Sequence, residues 1–137
     1  MLWLLFAPNQ GLLLSVDDKN LLKLWNLRDL SLVVQVKIPV EQNDYATYMY
    51  TATQLTSQPL NHRHVFIGMS SGNIYIFDLE AKQLSTFFLD FKKQFPNSKP
   101  DSVTCIKCHP DKMHRILVSY ERTAAVVYSI NKDRPLF

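Results

Sequence analysis

Three stretches of the chain repeat one order of apolar and polar residues. Each opens with a short apolar run, passes a polar turn, and returns through a second apolar run. That run closes on an aromatic residue followed by a short polar one. The first reads Leu12-Leu13-Leu14-Ser15-Val16, turn Asp17-Asp18-Lys19-Asn20, then Leu21-Leu22-Lys23-Leu24-Trp25-Asn26. The second reads Val65-Phe66-Ile67-Gly68-Met69, turn Ser70-Ser71-Gly72-Asn73, then Ile74-Tyr75-Ile76-Phe77-Asp78. The third reads Ile116-Leu117-Val118-Ser119-Tyr120, turn Glu121-Arg122-Thr123, then Ala124-Ala125-Val126-Val127-Tyr128-Ser129. Trp25 and Phe77 stand 52 residues apart, and Phe77 and Tyr128 stand 51 apart. A small residue (Ser15, Gly68 or Ser119) precedes the aromatic by nine or ten positions. Apolar and β-branched runs around turn residues predict one β-hairpin per unit.

Further apolar strands flank each hairpin. Trp3 to Ala7, Tyr45 to Leu55 and Val103 to Cys108 lie upstream, and Leu32 to Ile38 and Leu84 to Leu89 follow the first two units. Four strands per unit at a period near fifty residues predict an all-β chain built as β-propeller blades. No long window carries helical periodicity. Kelch repeats have a similar period but carry a Gly-Gly pair, which this sequence lacks. The segment from Gly68 to Asp78 instead resembles the WD40 pattern, Trp25-Asn26 is a close variant of its closing dipeptide, and Tyr128-Ser129 is a weaker one. The expected architecture is a WD40-like β-propeller fragment occupying 1–137. Its blades fall over about 3–38, 45–90 and 103–130, with a loop over 91–102. Extra length falls in the loops Glu41 to Asp44, Ser57 to His64 and Phe91 to Asp101. Two full four-stranded blades and most of a third leave the ring unclosed, since about four blades are the minimum. Open blade faces and strand edges invite association. Further blades completing the propeller are therefore expected, and the chain by itself is expected to self-associate.

Composition narrows the function classes. Hydrophobic residues make up 47% and charged residues 20% of 137, which suits a packed core. The net charge of +3 is mild and scattered, so nucleic acid is not an expected partner and membrane association is at most peripheral. The apolar start, Met1 to Leu5, lacks the basic region of a signal peptide. No run approaches the roughly 18 apolar residues of a membrane span. Two cysteines, Cys105 and Cys108, do not make a secreted disulfide framework. A cytoplasmic setting is the expectation.

The motif with most chemical content is Cys105-Ile106-Lys107-Cys108-His109. It matches the C-x-x-C-H pattern of haem attachment, or with His62, His64 and His114 it would seed a zinc site. The same residues fit the first strand of a blade, where residues three apart point to opposite faces and do not converge on one metal. We therefore expect packing cysteines, no metal and no cofactor. Asp17-Asp18 reads as a hairpin turn rather than a carboxylate pair. With no phosphate loop and no nucleophile elbow, an enzyme is not expected. The preferred contact region is the loop from Phe91 to Pro100, with Lys92, Lys93, Phe95 and Lys99 as protein-binding candidates, because loops on rigid scaffolds concentrate binding residues. Tyr45, Tyr48 and Tyr50 are expected to serve packing.

At the level of families, the run from Pro8 to Trp25 resembles the lethal giant larvae and tomosyn branch of WD40 proteins, where a similar segment ends in Leu-x-Leu-Trp after an Asp-Asp turn. Phe66 to Asp78 is similar to the next blade of that family, and Lys112 to Arg122 to a later strand. The resemblance covers most of residues 3–130. It implies a cytosolic, non-catalytic scaffold that binds syntaxin-type SNAREs, with some members binding Rab GTPases. Vesicle docking, exocytosis and cell polarity are the processes implied, at the plasma membrane where peripheral. This chain shows no tomosyn-type heptad segment. Ser119 to Ala124 departs from the family's Gly-rich turn, and no family site residue maps onto this chain. A WD40 adaptor of an unrelated protein complex is the second expectation.

Overall fold

The structure is a computed structural model that describes residues 3–7, 11–40, 43–51, 64–108, 115–123 and 125–129. Among these, eleven strands form three antiparallel sheets. The first holds β1 (Trp3–Ala7), β2 (Leu12–Val16), β3 (Leu21–Asn26) and β4 (Leu32–Lys37) in that order. The second holds β5 (Ala46–Thr51), β6 (His64–Met69), β7 (Ile74–Asp78) and β8 (Gln83–Leu89). The third holds β9 (Val103–Cys108), β10 (Arg115–Tyr120) and β11 (Val126–Ser129). One short helix, α1 (Phe91–Gln94), lies in the connection before β9. The expected strand residues 52–55, most of the expected loop from Ser57, and Lys112 to His114 lie outside the described residues. His64, expected at the end of that loop, is the first residue of β6.

The sheets stack like blades. Their first strands are neighbours, β1 beside β5 and β5 beside β9, while β6 also meets β9. The alternation of side chains along a strand then sorts each sheet's residues between two interfaces. From β6 and β7, Val65, Ile67, Met69, Tyr75 and Phe77 join Leu14, Val16, Leu22 and Leu24 of the first sheet in one core. From the opposite face, Phe66, Ile74 and Ile76 join Val103, Ile106, Ile116, Val118 and Tyr128 of the third in another. Every residue of β6 and β7 is buried in consequence. This explains why these strands read as continuous apolar runs rather than alternating ones. The end sheets each keep one face less covered. Leu117 and Val127 of the third are 47% and 58% exposed, and Leu13 and Trp25 of the first are half-buried.

The repeated signatures have local physical causes. Asp78 caps the turn after β7, its carboxylate accepting from the backbone N–H groups of Glu80 (2.8 Å) and Ala81 (3.0 Å). Asn26 does the same after β3, accepting from the Arg28 N–H at 2.8 Å. The two turns close alike, Leu30 N–H on the Asn26 carbonyl and Lys82 N–H on the Asp78 carbonyl, both at 2.8 Å. Leu30 (φ 59°) and Lys82 (φ 57°) are both left-handed. The short polar residue after Trp25 and after Phe77 is thus the turn's acceptor.

The small residue is a different matter. The hairpin turns align through Asn20 N–H to Asp17 carbonyl (3.1 Å) and Gly72 N–H to Met69 carbonyl (3.0 Å), with Asn20 and Gly72 both at positive φ. Gly68 and Ser119 then stand nine residues before their aromatics, but in the first unit that place belongs to Val16. Ser15 lies on the opposite face, where its hydroxyl accepts the Trp25 indole N–H at 3.0 Å.

Gly68 sets the spacing between the second and third sheets. A Cβ added there would lie 2.6 Å from both Cβ and Cγ1 of Val103. Thr47, at a bulge in β5, donates to the Val103 carbonyl at 2.7 Å and fixes the same contact. Gly68→Ala is therefore expected to destabilise the chain by about 1–3 kcal/mol, the usual range for overpacking. Thermal or denaturant unfolding checks this, and Val103→Ala in the same chain is expected to recover part of the loss.

Candidate protein-binding surface

The connections that enter the second and third sheets and the central hairpin turns gather at one end of the stack, where side-chain hydrogen bonds fix them. Asp44 stands two residues before β5, and its carboxylate accepts from the hydroxyls of Ser70 and Ser71 (both 2.7 Å) and the Ser71 N–H (3.0 Å). Asp101 stands two residues before β9 and takes the backbone N–H groups of Arg122 and Thr123 in the β10–β11 turn, at 3.0 and 2.6 Å. β5 and β9 are thus each latched to their own sheet's hairpin turn by one carboxylate. Neither aspartate was singled out by sequence. The available signal was an Asp two positions ahead of a blade's first strand in both later units.

The turns are also tied to neighbouring connections. The Asn20 side-chain amide donates to the Asp44 carbonyl at 2.8 Å, and the Phe91 N–H donates to the Asn73 side-chain oxygen at 3.0 Å. Asp17, expected to be structural, closes its own turn by accepting from Lys19 and Leu21 N–H groups at 2.9 and 3.0 Å.

The candidate loop after β8 sits at this end. Asp90 caps α1 by accepting the Lys92 N–H at 3.0 Å. Phe91 is buried beneath the loop, packed where Gly72 leaves room: a Cβ on Gly72 would come within 2.7 Å of its ring. Phe95 is half-buried, its ring 5.0 Å from Phe91 and 6.3 Å from Tyr120. Lys92, Lys93 and Lys99 are exposed. The loop is therefore anchored by two aromatics and presents its lysines outward, so Phe95 holds the loop in place and the lysines form its outer face.

The C-x-x-C-H residues take another arrangement. Cys105 and Cys108 both lie in β9, and His109, His62 and His114 are outside the described residues. The Cys105 thiol lies 3.8 Å from the Tyr48 hydroxyl, and the Lys107 ammonium sits 4.8 Å over the Tyr50 ring. Tyr48 and Tyr50 pack against the core between the second and third sheets, while Tyr45 is exposed. Within that core, Tyr120 and Tyr128 share a hydrogen bond of 2.6 Å, and burial pushes both phenols up.

The fold is shared with solved structures. The β-propeller domain of Cps50 (Swd1) from Myceliophteria thermophila matches with a TM-score of 0.67 at 12% identity, over 94% of this chain and 35% of that one. Raptor from Chaetomium thermophilum matches with a TM-score of 0.69 at 13% identity, over 99% of this chain and 12% of that one. The fold is a partial WD40-like β-propeller. At such identities the likeness speaks for the fold alone, and the chain spans about a third and an eighth of these two proteins. No family model matches the sequence.

Asp101 gives this end a pH dependence. Burial alone would raise its carboxyl, but the hydrogen bonds from Thr123 and Arg122, with the nearby Arg122 charge, outweigh that and hold it below the usual range. A lowered folded value means the latch contributes fully above the unfolded value, about pH 4. The contribution is lost as pH falls through the folded value. We expect unfolding titrations to show the wild-type chain losing stability below about pH 4 more steeply than Asp101→Asn. At neutral pH that variant is expected to be less stable by about 1–3 kcal/mol, because the part-buried N–H donors of Arg122 and Thr123 lose their charged acceptor.

Proposed function

We propose that this chain is part of a non-catalytic protein-interaction scaffold that docks partners at the latched end of the stack. The observation that carries the reading is the loop after β8. Asp90, Phe91 and Phe95 hold it in one place while Lys92, Lys93 and Lys99 stay exposed. A fixed loop loses little entropy on binding, which is the general advantage of preorganisation. Its charge suits an acidic protein surface and steers encounter.

The resemblance of Pro8 to Trp25 and Phe66 to Asp78 to lethal giant larvae and tomosyn proteins supports a finer reading. On it, the partners are syntaxin-type SNAREs, with Rab GTPases a further class. The setting is cytoplasmic, peripheral at the plasma membrane, in vesicle docking, exocytosis or polarity. Further blades would cover the open faces of the first and third sheets.

Pull-down of syntaxin-type SNAREs by the folded chain tests this. Binding is expected, and reversing Lys92, Lys93 and Lys99 to Glu is expected to weaken it by roughly tenfold or more, mostly through slower association at low salt. Absence of SNARE binding by folded protein would assign the scaffold to an unrelated complex. Binding indifferent to the three reversals would move the contact away from this loop.

A further inference from the structure

We propose that a cavity between the second sheet and the connection that enters it from the first, at the same end, receives an arginine side chain from a partner segment whose flanking residues are acidic. This deepens the scaffold reading and rests on it: it names the chemistry that the surface holds. The cavity measures about 440 Å³, within the range of roughly 300–1,000 Å³ usual for ligand sites. Its wall joins parts of the chain remote in sequence: Pro39 beyond β4, Asp44 before β5, Tyr75 on β7, Phe88 on β8, and Asp90 with Lys92 in the following loop.

The wall is fixed before any ligand arrives. The rings of Tyr75 and Phe88 stack with centroids 5.0 Å apart and planes 17° off parallel. The Tyr75 hydroxyl donates to the Pro39 carbonyl at 3.3 Å, which ties this aromatic platform to the first sheet's exit. Asp44 is held by the Ser70 and Ser71 hydroxyls and by the N–H groups of Tyr45 and Ser71. Asp90 is held by the Lys92 N–H. These bonds hold both carboxylates in set positions.

An aromatic platform beside two anchored carboxylates suits a planar cation. A guanidinium stacks on a ring face and offers a fork of donors to carboxylates, whereas an ammonium matches neither feature as well. Lys92 lines the same wall, and Lys93 and Lys99 lie exposed in the adjoining loop, so acidic neighbours of that arginine would meet all three.

The test uses a fluorescent eight-residue peptide with one central arginine between glutamates, titrated into the full chain by anisotropy. Replacing the arginine by glutamine is expected to weaken binding by roughly ten- to a hundredfold, the loss of charged hydrogen bonds. Replacement by lysine is expected to give an intermediate loss. Asp90→Asn and Phe88→Leu are each expected to weaken the arginine peptide several-fold, with circular dichroism and the thermal midpoint little changed. Asp44 is left intact because it latches the β6–β7 turn. Equal binding of the arginine and glutamine peptides, or binding indifferent to both Asp90→Asn and Phe88→Leu, would overturn the proposal. If the arginine peptide fails while the SNARE pull-down succeeds, the cavity assignment falls and the scaffold reading stands. Failure of both removes the cavity assignment and the SNARE reading together, and leaves a scaffold of an unrelated complex.

Discussion

The close packing of three sheets through the middle one is the constraint on which the rest of the molecule depends. β6 and β7 have no solvent face, because alternate residues serve two different cores. Burying a Phe, Ile or Met side chain fully is worth about 1.5–3 kcal/mol, against about 0.5–1.5 kcal/mol for a typical hydrogen bond. The two apolar interfaces therefore dominate the association of the sheets, and the hydrogen bonds set its geometry. That geometry has one tight point. Gly68 lets β9 approach β6, and Thr47 bridges the two strands at the same place. A side chain at Gly68 would push apart the sheets that define both the core and the end surface.

The end surface inherits its order from this packing. Asp44 and Asp101 join the chain entering the second and the third sheet to that sheet's own hairpin turn, and Asn20 and Asn73 join the turns to neighbouring connections. These polar bonds stop the connections from moving independently of the sheets. The loop after β8 shows the result, with Phe91 sunk into the second core and the lysines left outside. The cavity lined by Asp44, Tyr75, Phe88 and Asp90 exists only because three connections and two strands are held at fixed distances.

Much of the fold was legible in the sequence, and the reasons are local. A strand pair, its turn and its closing polar residue are set by neighbours along the chain, as the parallel turns after Asn26 and Asp78 show. Register was less legible. Ser15 resembled Gly68 and Ser119 by size, yet it lies on the opposite face and serves Trp25, because one position of shift reverses the face of a strand residue. The carboxylate latches were only faintly visible, since an Asp before a strand looks like any turn residue until its partner some twenty to thirty positions away is brought to it. Cys105 and Cys108 carried the most conspicuous pattern, yet both fall within one extended strand of a blade, with the Cys105 thiol against the Tyr48 hydroxyl. The cavity had no sequence signature, because its residues come from segments spread between Pro39 and Lys92 and beyond.

Two-sided burial of the middle sheet implies that it opens only when the whole stack opens. Native-state amide hydrogen exchange measures this strand by strand. The amides of β6 and β7 should exchange slowest, with one shared opening free energy equal to that of global unfolding, while those of the edge strands β4 and β11 exchange through smaller local openings. Exchange of β6 and β7 as fast as that of β4, or separate opening of the second sheet while the first and third stay protected, would contradict the account.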